Sequence, residues 1–350
     1  MKVFKCQCDH VIFFENSLCT VCSHELAWCP VCQGMHAIRS TGEHLYSCTH
    51  CDTVLRKCYN YAVEHVCNRA VVANENSADH PLCDYCQFNA TIPDLDVEGN
   101  RVLWQRLEIA KRRLLYTLDL LGLPYGHDVT PALSFDFKAD VTRPAKWWWQ
   151  IGTTERVYTG HANGKITINL IEADPVSREK LRVSLNEAHR TEIGHFRHEI
   201  GHYYWEMLVT GEEVERFKNL FGDFENPTYS ESLDRHYTEG PPANWQSQYV
   251  SAYATMHPWE DFAEIFAVYL DMVSVLDTAH NMGLAPVSFR ALTIEDMIRQ
   301  YQHLGVVLNE MNRAMGLIDL VPEVFVASVR EKLVYVHELV QQAIPAAQGS

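Results

Sequence analysis

Apolar residues recur at helical spacing in two long stretches of the chain. Leu103, Leu107, Ala110, Leu114, Leu115 and Leu118 share one face of Val102 to Leu121, which predicts an amphipathic helix ended by Gly122 and Pro124. Phe325, Val329, Leu333, Val336 and Val340 predict a second such helix near the C-terminal end. A third helix is expected where Pro258 opens the run His257-Pro258-Trp259-Glu260-Asp261-Phe262-Ala263-Glu264-Ile265-Phe266-Ala267. Its apolar residues imply burial, so its carboxylates are expensive to keep there. Lys165 to Asn169 alternates around Ile166 and Ile168 and reads as a strand, either internal or offering its edge to an extended peptide. Phe135 to Gln150 is strand-like but interrupted. Its Trp147-Trp148-Trp149 run reads first as packing, with a domain contact or a substrate wall as alternatives.

The front of the chain follows a different rule. All twelve cysteines fall between Cys6 and Cys86. They sort into Cys6, Cys8, Cys19 and Cys22; Cys29, Cys32, Cys48 and Cys51; and Cys58, Cys67, Cys83 and Cys86. Repeated two-residue gaps favour metal over disulfides, and four thiolates can close a tetrahedral zinc site. Such a site has no open position, so three structural zinc ions are expected, supplying the stability that this polar segment cannot draw from apolar burial. His10, His24, His36, His44, His50, His65 and His80 read as surface or neighbouring residues rather than ligands. Asn89 to Asn100, with Pro93, Asp94, Asp96 and Gly99, reads as a boundary or packed connector. The expected division is a zinc-ribbon region over 1–92 and an α+β body over 93–346, mostly helical with a small sheet.

With 29 basic against 45 acidic residues, the formal charge is -16. That balance argues against a general nucleic-acid binder, which needs a basic footprint to meet phosphate. Lys111, Arg112 and Arg113 form a local basic cluster, read here as the solvated face of a helix. No run of residues is long and apolar enough to span a bilayer, and Met1 to Cys8 lacks the apolar core of a signal peptide. A reducing cytoplasm is the expected location, since it leaves thiols available to zinc.

The sharpest chemical pattern is His198-Glu199-Ile200-Gly201-His202. On a helix the two histidines share a face and can hold one catalytic zinc, with Glu199 placed as general base toward its water. Two histidines leave the metal short of a third protein ligand. Glu260 is the preferred candidate, with Asp261 and Glu264 as competitors. Glu264, on the same face as Glu260, is assigned to a hydrogen bond that orients a ligand histidine. His195 reads as a neighbour of the site, and His161 and His257 as candidate helpers.

Glu260-Asp261-Phe262-Ala263-Glu264 resembles the ligand helix of gluzincins related to anthrax lethal factor. That resemblance implies that Tyr253, seven residues before the ligand glutamate, faces the site and steadies the developing oxyanion, with Tyr249 as its rival. Phe14-Glu15-Asn16, Asn89-Ala90-Thr91-Ile92-Pro93-Asp94, Ala110-Lys111-Arg112-Arg113-Leu114, Glu172-Ala173-Asp174 and the stretch from Gly194 through Trp205 resemble a bacterial family of zinc-binding metallopeptidases with an N-terminal zinc ribbon. The likeness runs over nearly the whole chain. The set Cys29, Cys32, Cys48 and Cys51 departs from the usual family pattern. The resemblance implies zinc-dependent hydrolysis of a protein or peptide, with the ribbon as a substrate or adaptor contact. The rival expectation is a zinc-stabilised module that binds protein or nucleic acid and has little activity.

Overall fold

The computed structural model describes residues 1–74, 79–143, 153–184, 190–322 and 324–344. The Trp147-Trp148-Trp149 run lies outside them. The cysteine-rich region pairs β1 (Phe4–Lys5) with β2 (Val11–Ile12), then builds an antiparallel five-stranded sheet. That sheet runs in chain order through β3 (Leu26–Cys29), β4 (Gly34–Gly42), β5 (Leu45–Cys48), β6 (Val54–Lys57) and, after the one-turn helix α1 (Tyr59–Ala62), β7 (Ala70–Val72). Cysteines stand at the ends of β3 and β5 and cap α1 through Cys58, so the clusters tie neighbouring hairpins together.

The connector is packed. Straight after Cys86, β8 (Asn89–Thr91) enters the body as a strand of its sheet. The long helix α2 (Asn100–Leu121) follows, and Gly122 ends it in the left-handed conformation at φ +75°, which suits a residue without a side chain. Then come β9 (Ser134–Lys138), β10 (Val141–Arg143), β11 (Thr153–Glu155), β12 (Gly160–Ala162) and β13 (Lys165–Asn169). The body's sheet has the order β12-β13-β9-β8, with β13 flanked on both sides. Lys165 to Asn169 is therefore an internal strand, with Ile166 and Ile168 buried, and it has no free edge to offer a peptide.

The remainder is helical: α3 (Pro175–Ser184), α4 (Glu192–Leu208), α5 (Glu213–Phe221), α6 (Tyr229–Glu239), α7 (Pro258–Asn281), α8 (Ile294–Ala314) and α9 (Ala327–Ala343). The buried faces follow the apolar spacing: Val329, Leu333, Val336 and Val340 of α9 all face inward. The α4 helix lies on the sheet through Phe196, whose ring sits 5.9 Å from that of Phe135. It also packs against α2 and, most closely, against α7, and the α4 and α7 backbones approach each other at Gly201. A Cβ built there would stand 2.8 Å from the Cα of Ala263. Gly201→Ala is expected to wedge the two helices apart and cost about 1–3 kcal/mol of stability, as overpacking against rigid backbone does. Chemical denaturation checks this, and a midpoint equal to wild type would contradict the close packing.

The basic cluster on α2 is the main correction to the sequence reading. Lys111 and Arg112 are buried rather than solvated. Lys111 lies between Glu108, at 2.9 Å, and the Asn89 side chain on β8, while Arg112 donates to the Val66 carbonyl at 2.7 Å. Arg113 pairs with Glu15, and Tyr116 receives Phe14 at a ring separation of 5.3 Å. Arg112, Arg113 and Tyr116 bolt the ribbon to the body, while Lys111 ties α2 to the first strand of the body's sheet. Charge alone, read without partners, carries no sign of that.

Candidate metallopeptidase site

Each helix of the site is started by a local device. Thr191 caps α4 by accepting from the Gly194 N–H at 3.1 Å, and Pro258 stands in the first turn of α7 behind the His257 cap. Because α4 and α7 run against each other, His198 and His202 face Glu260 and Glu264 across the seam. The His198 Nε2 lies 2.9 Å from Glu260 Oε2 and 3.1 Å from His202 Nε2, and the third side of the triangle, His202 Nε2 to Glu260 Oε2, is 3.4 Å.

That triangle has the chemistry of a zinc site. Ligands held about 2.0–2.1 Å from a tetrahedral ion are separated from each other by roughly 3.3 Å, near the spacing seen. The tautomer agrees. Glu264 Oε1 takes the Nδ1–H of His198 at 2.7 Å, so the Nε2 lone pair of His198 points at a carboxylate oxygen and a second imidazole nitrogen. Three electron-rich atoms converging in a buried place repel one another unless a cation or a proton sits among them. Burial opposes ionisation of Glu260, but His202 and His198 more than offset it and hold the carboxyl well below the usual glutamate range.

The competitors fall elsewhere. Asp261 points away from the triangle to Lys332 at 2.6 Å, and the Lys332 ammonium also sits 4.5 Å from the centre of the Tyr249 ring. Tyr249 thus belongs to that buried ion pair. The Tyr253 ring, by contrast, is 5.9 Å from that of His198. His257 is engaged as the α7 cap, accepting from the Trp259 N–H and donating to the Phe224 carbonyl, both at 3.1 Å. His161 accepts from the Gly164 N–H at 3.1 Å, and burial pulls its pKa down to about 4, leaving it neutral. His195 stands 3.4 Å from Glu172 and is likewise held neutral by burial, at about 4.

Glu199 occupies the position between the ligand histidines and is itself buried. Its Oε2 has no hydrogen-bond partner among the described residues, and burial pushes its carboxyl above the ordinary glutamate range. One important neighbour escapes the sequence reading. Tyr229, at the start of α6, donates to Glu260 Oε1 at 2.8 Å, occupying the oxygen that does not face the histidines. The Tyr253 hydroxyl in turn approaches that of Tyr229. No spacing rule links Tyr229 to a glutamate 31 positions away; its only local signal is the Thr228–Glu231 capping box that fixes where α6 begins. Trp259 closes the other side, its ring 4.2 Å from that of His202.

The ribbon holds three further donor sets, grouped as Cys6, Cys8, Cys19 and Cys22; Cys29, Cys32, Cys48 and Cys51; and Cys58, Cys67, Cys83 and Cys86. Sulfur pairs stand 3.5 Å apart for Cys6 and Cys22, 3.8 Å for Cys8 and Cys19, 3.8 Å for Cys29 and Cys51, and 3.9 Å for Cys67 and Cys83. Disulfide sulfurs would be about 2.05 Å apart. Thiolates at about 2.3 Å from one tetrahedral zinc are separated by roughly 3.8 Å, so the clusters fit structural zinc sites.

Residues 100–339 match a family described as "Putative zinc-binding metallo-peptidase". The chain belongs to this family. Residues 3–97 match a zinc-ribbon domain, a span that takes in all twelve cysteines. The metallopeptidase is 37% identical to an uncharacterized protein of Mycobacterium bovis over 356 aligned positions, covering 99% of this chain and 97% of the relative. Uncharacterized proteins from two strains of Mycobacterium tuberculosis match with the same identity and coverage. No solved structure matches. The metallopeptidase thus combines an N-terminal zinc ribbon, three cysteine clusters and an HExxH site of gluzincin type completed by Glu260.

Among the described residues, Glu264 reaches the site through His198 and is itself hydrogen-bonded by Ser251. Glu264→Gln is expected to lower affinity for the site zinc about 10–100-fold, because the imidazole loses the partner that fixes its tautomer. Competition with a chelator measures this. Unchanged affinity would show that the 2.7 Å contact does not orient the ligand.

Proposed function

We propose that the metallopeptidase is a cytoplasmic endopeptidase that cleaves a specific protein or peptide, and that its ribbon helps to recruit that substrate. The observation that carries the hydrolytic reading is the buried carboxylate of Glu199 beside the donor triangle, with one oxygen left without a partner among the described residues. A module that only binds has no use for a base there. Zinc held by His198, His202 and Glu260 supplies Lewis acidity and an activated water. Glu199 takes up a proton at its free oxygen and returns it to the nitrogen of the departing amine. The Tyr253 hydroxyl, next to His198, donates to the oxygen that becomes negative as the carbonyl is attacked. Tyr229 keeps one oxygen of Glu260 occupied, so that the other is presented to the metal.

Support for recruitment comes from the ribbon surface. Phe13, Leu18, Val21 and Val31, all in or beside the cysteine knuckles, are exposed apolar side chains. Support for a reducing compartment is the number of thiols committed to metal-type clusters rather than disulfides. No helix among the described residues is long and apolar enough to cross a membrane.

The deciding experiment compares new protein N-termini in cells that express wild type or Glu199→Gln. Cleavages present only with wild type, and reproduced with purified components, identify the substrate. Equal N-terminal profiles, together with no cleavage of any candidate by the zinc-loaded protein, would sink the peptidase reading.

A further inference from the structure

The second cysteine cluster has more donors around it than one tetrahedral ion can use. Beside Cys32, in the turn between β3 and β4, stand His36 of β4 and His50 of the turn between β5 and β6. One ring nitrogen of each histidine and the Cys32 sulfur all lie within 4.8 Å of one another. The two imidazoles are stacked face to face, with ring centres 4.5 Å apart and planes 8° from parallel. A Cβ at Gly34 would stand 3.1 Å from His36 Nε2, so that glycine gives the ring its room.

A histidine next to a zinc-bound thiolate can simply donate an N–H to the sulfur, and the first cluster has that arrangement, with His24 Nδ1 3.3 Å from Cys22 Sγ. The second cluster differs. Neither His36 nor His50 has a hydrogen-bond partner among the described residues, Cys32 included, so two imidazoles stand off one sulfur with their lone pairs unused. Charge points the same way. Four thiolates around one divalent zinc leave a formal charge of about -2, which a further cation offsets.

We infer that His36, His50 and Cys32 bind a further divalent cation of the zinc class, with the Cys32 sulfur bridging it to the structural zinc of its own cluster. A thiolate keeps lone pairs after one metal bond, and thiolate and imidazole are the donors that zinc takes. Donors around one such ion are separated by roughly 3.4–3.6 Å. The exposed His50 ring covers the difference by turning about its own side-chain bonds, and the ion enters past it, because Cys32 is only half-buried. Three protein donors leave a fourth position open to water, so this ion exchanges where the structural ones do not. The site is independent of the peptidase reading.

The test raises free zinc over the full chain already loaded with its four tight ions. Equilibrium dialysis with element analysis is expected to find one more ion per chain, with Kd on the order of 1 µM, weaker than structural zinc because the bridging sulfur is shared. Cobalt(II) added to the same zinc-loaded protein should bind as one equivalent, release no zinc, and give the sulfur-to-cobalt charge-transfer absorption of a thiolate ligand. His50→Ala, at an exposed position, should weaken this ion at least about 100-fold and keep the other four, since losing even the partner that orients a ligand costs about 10–100-fold. His36→Ala should do the same. If replacing the half-buried His36 unfolds the ribbon, His50→Ala and the cobalt spectrum decide the matter. Uptake that stops at the four ions, a further ion without the sulfur absorption, cobalt binding matched by zinc release, or a further ion that His50→Ala leaves unchanged would overturn the inference.

Discussion

Glu199→Gln is expected to lower peptide hydrolysis by about 10²–10⁴-fold, the range that a positioned general base contributes, while zinc stays bound. The separation of the two effects follows from geometry. The donor triangle is made by His198, His202 and Glu260, and Glu199 is outside it. Glutamine keeps the size and packing of a side chain that is 7% exposed in the α4 interior, but it cannot accept the proton. Element analysis and turnover on a verified substrate are measured on the same preparation. Wild-type turnover in the variant would remove Glu199 from the role of base. Loss of zinc along with activity would instead make it part of the metal-holding structure.

The second large effect concerns the third cysteine cluster. Cys83→Ser is expected to release one zinc and to unfold the ribbon, and with it to loosen the body. Cys58, Cys67, Cys83 and Cys86 are all buried, and they share one continuous apolar core with Trp104, Leu107 and Leu114 of α2. Structural zinc is worth about 10–16 kcal/mol of apparent binding energy in isolated zinc modules, and that energy is folding energy. Cys8, in the first cluster, is exposed. Cys8→Ser should therefore cost the first zinc with a much smaller effect on the body. Zinc stoichiometry and thermal unfolding of the two variants provide the check, starting from four ions per wild-type chain. A Cys83→Ser protein that keeps all four and melts with wild type would show that this cluster does not hold the two parts together.

Much of the fold and of the site is legible in the chain itself, for a definite reason. Helix α2, strand β13 and helix α9 announce themselves because one buried face imposes one period, and a period is a local property of the chain. Cysteine knuckles and the HExxH pattern are equally local, since each puts two donors within reach of one ion across a single turn. The spacing of Glu260 and Glu264 also limits what they can do, because four residues on a helix place both on one face. What spacing cannot do is choose between Tyr249 and Tyr253, or decide which carboxylate meets the histidines. Those choices depend on how α7 is rotated against α4, which Gly201 and Ala263 set by close approach.

The sequence by itself determined the metal chemistry: twelve thiols in three sets, two histidines with a base between them, and a carboxylate helix to complete the ligand set. Tertiary structure alone decided the partners. It buried Lys111 and Arg112 where an exposed face was expected, setting Arg112 in the joint between ribbon and body, gave β13 two neighbours instead of an edge, and brought Tyr229 to Glu260 from another helix. The physical reason is the same in each case. Ligand identity is written in local spacing, whereas the fate of a charge, an edge or a hydroxyl depends on which distant group packing brings to meet it.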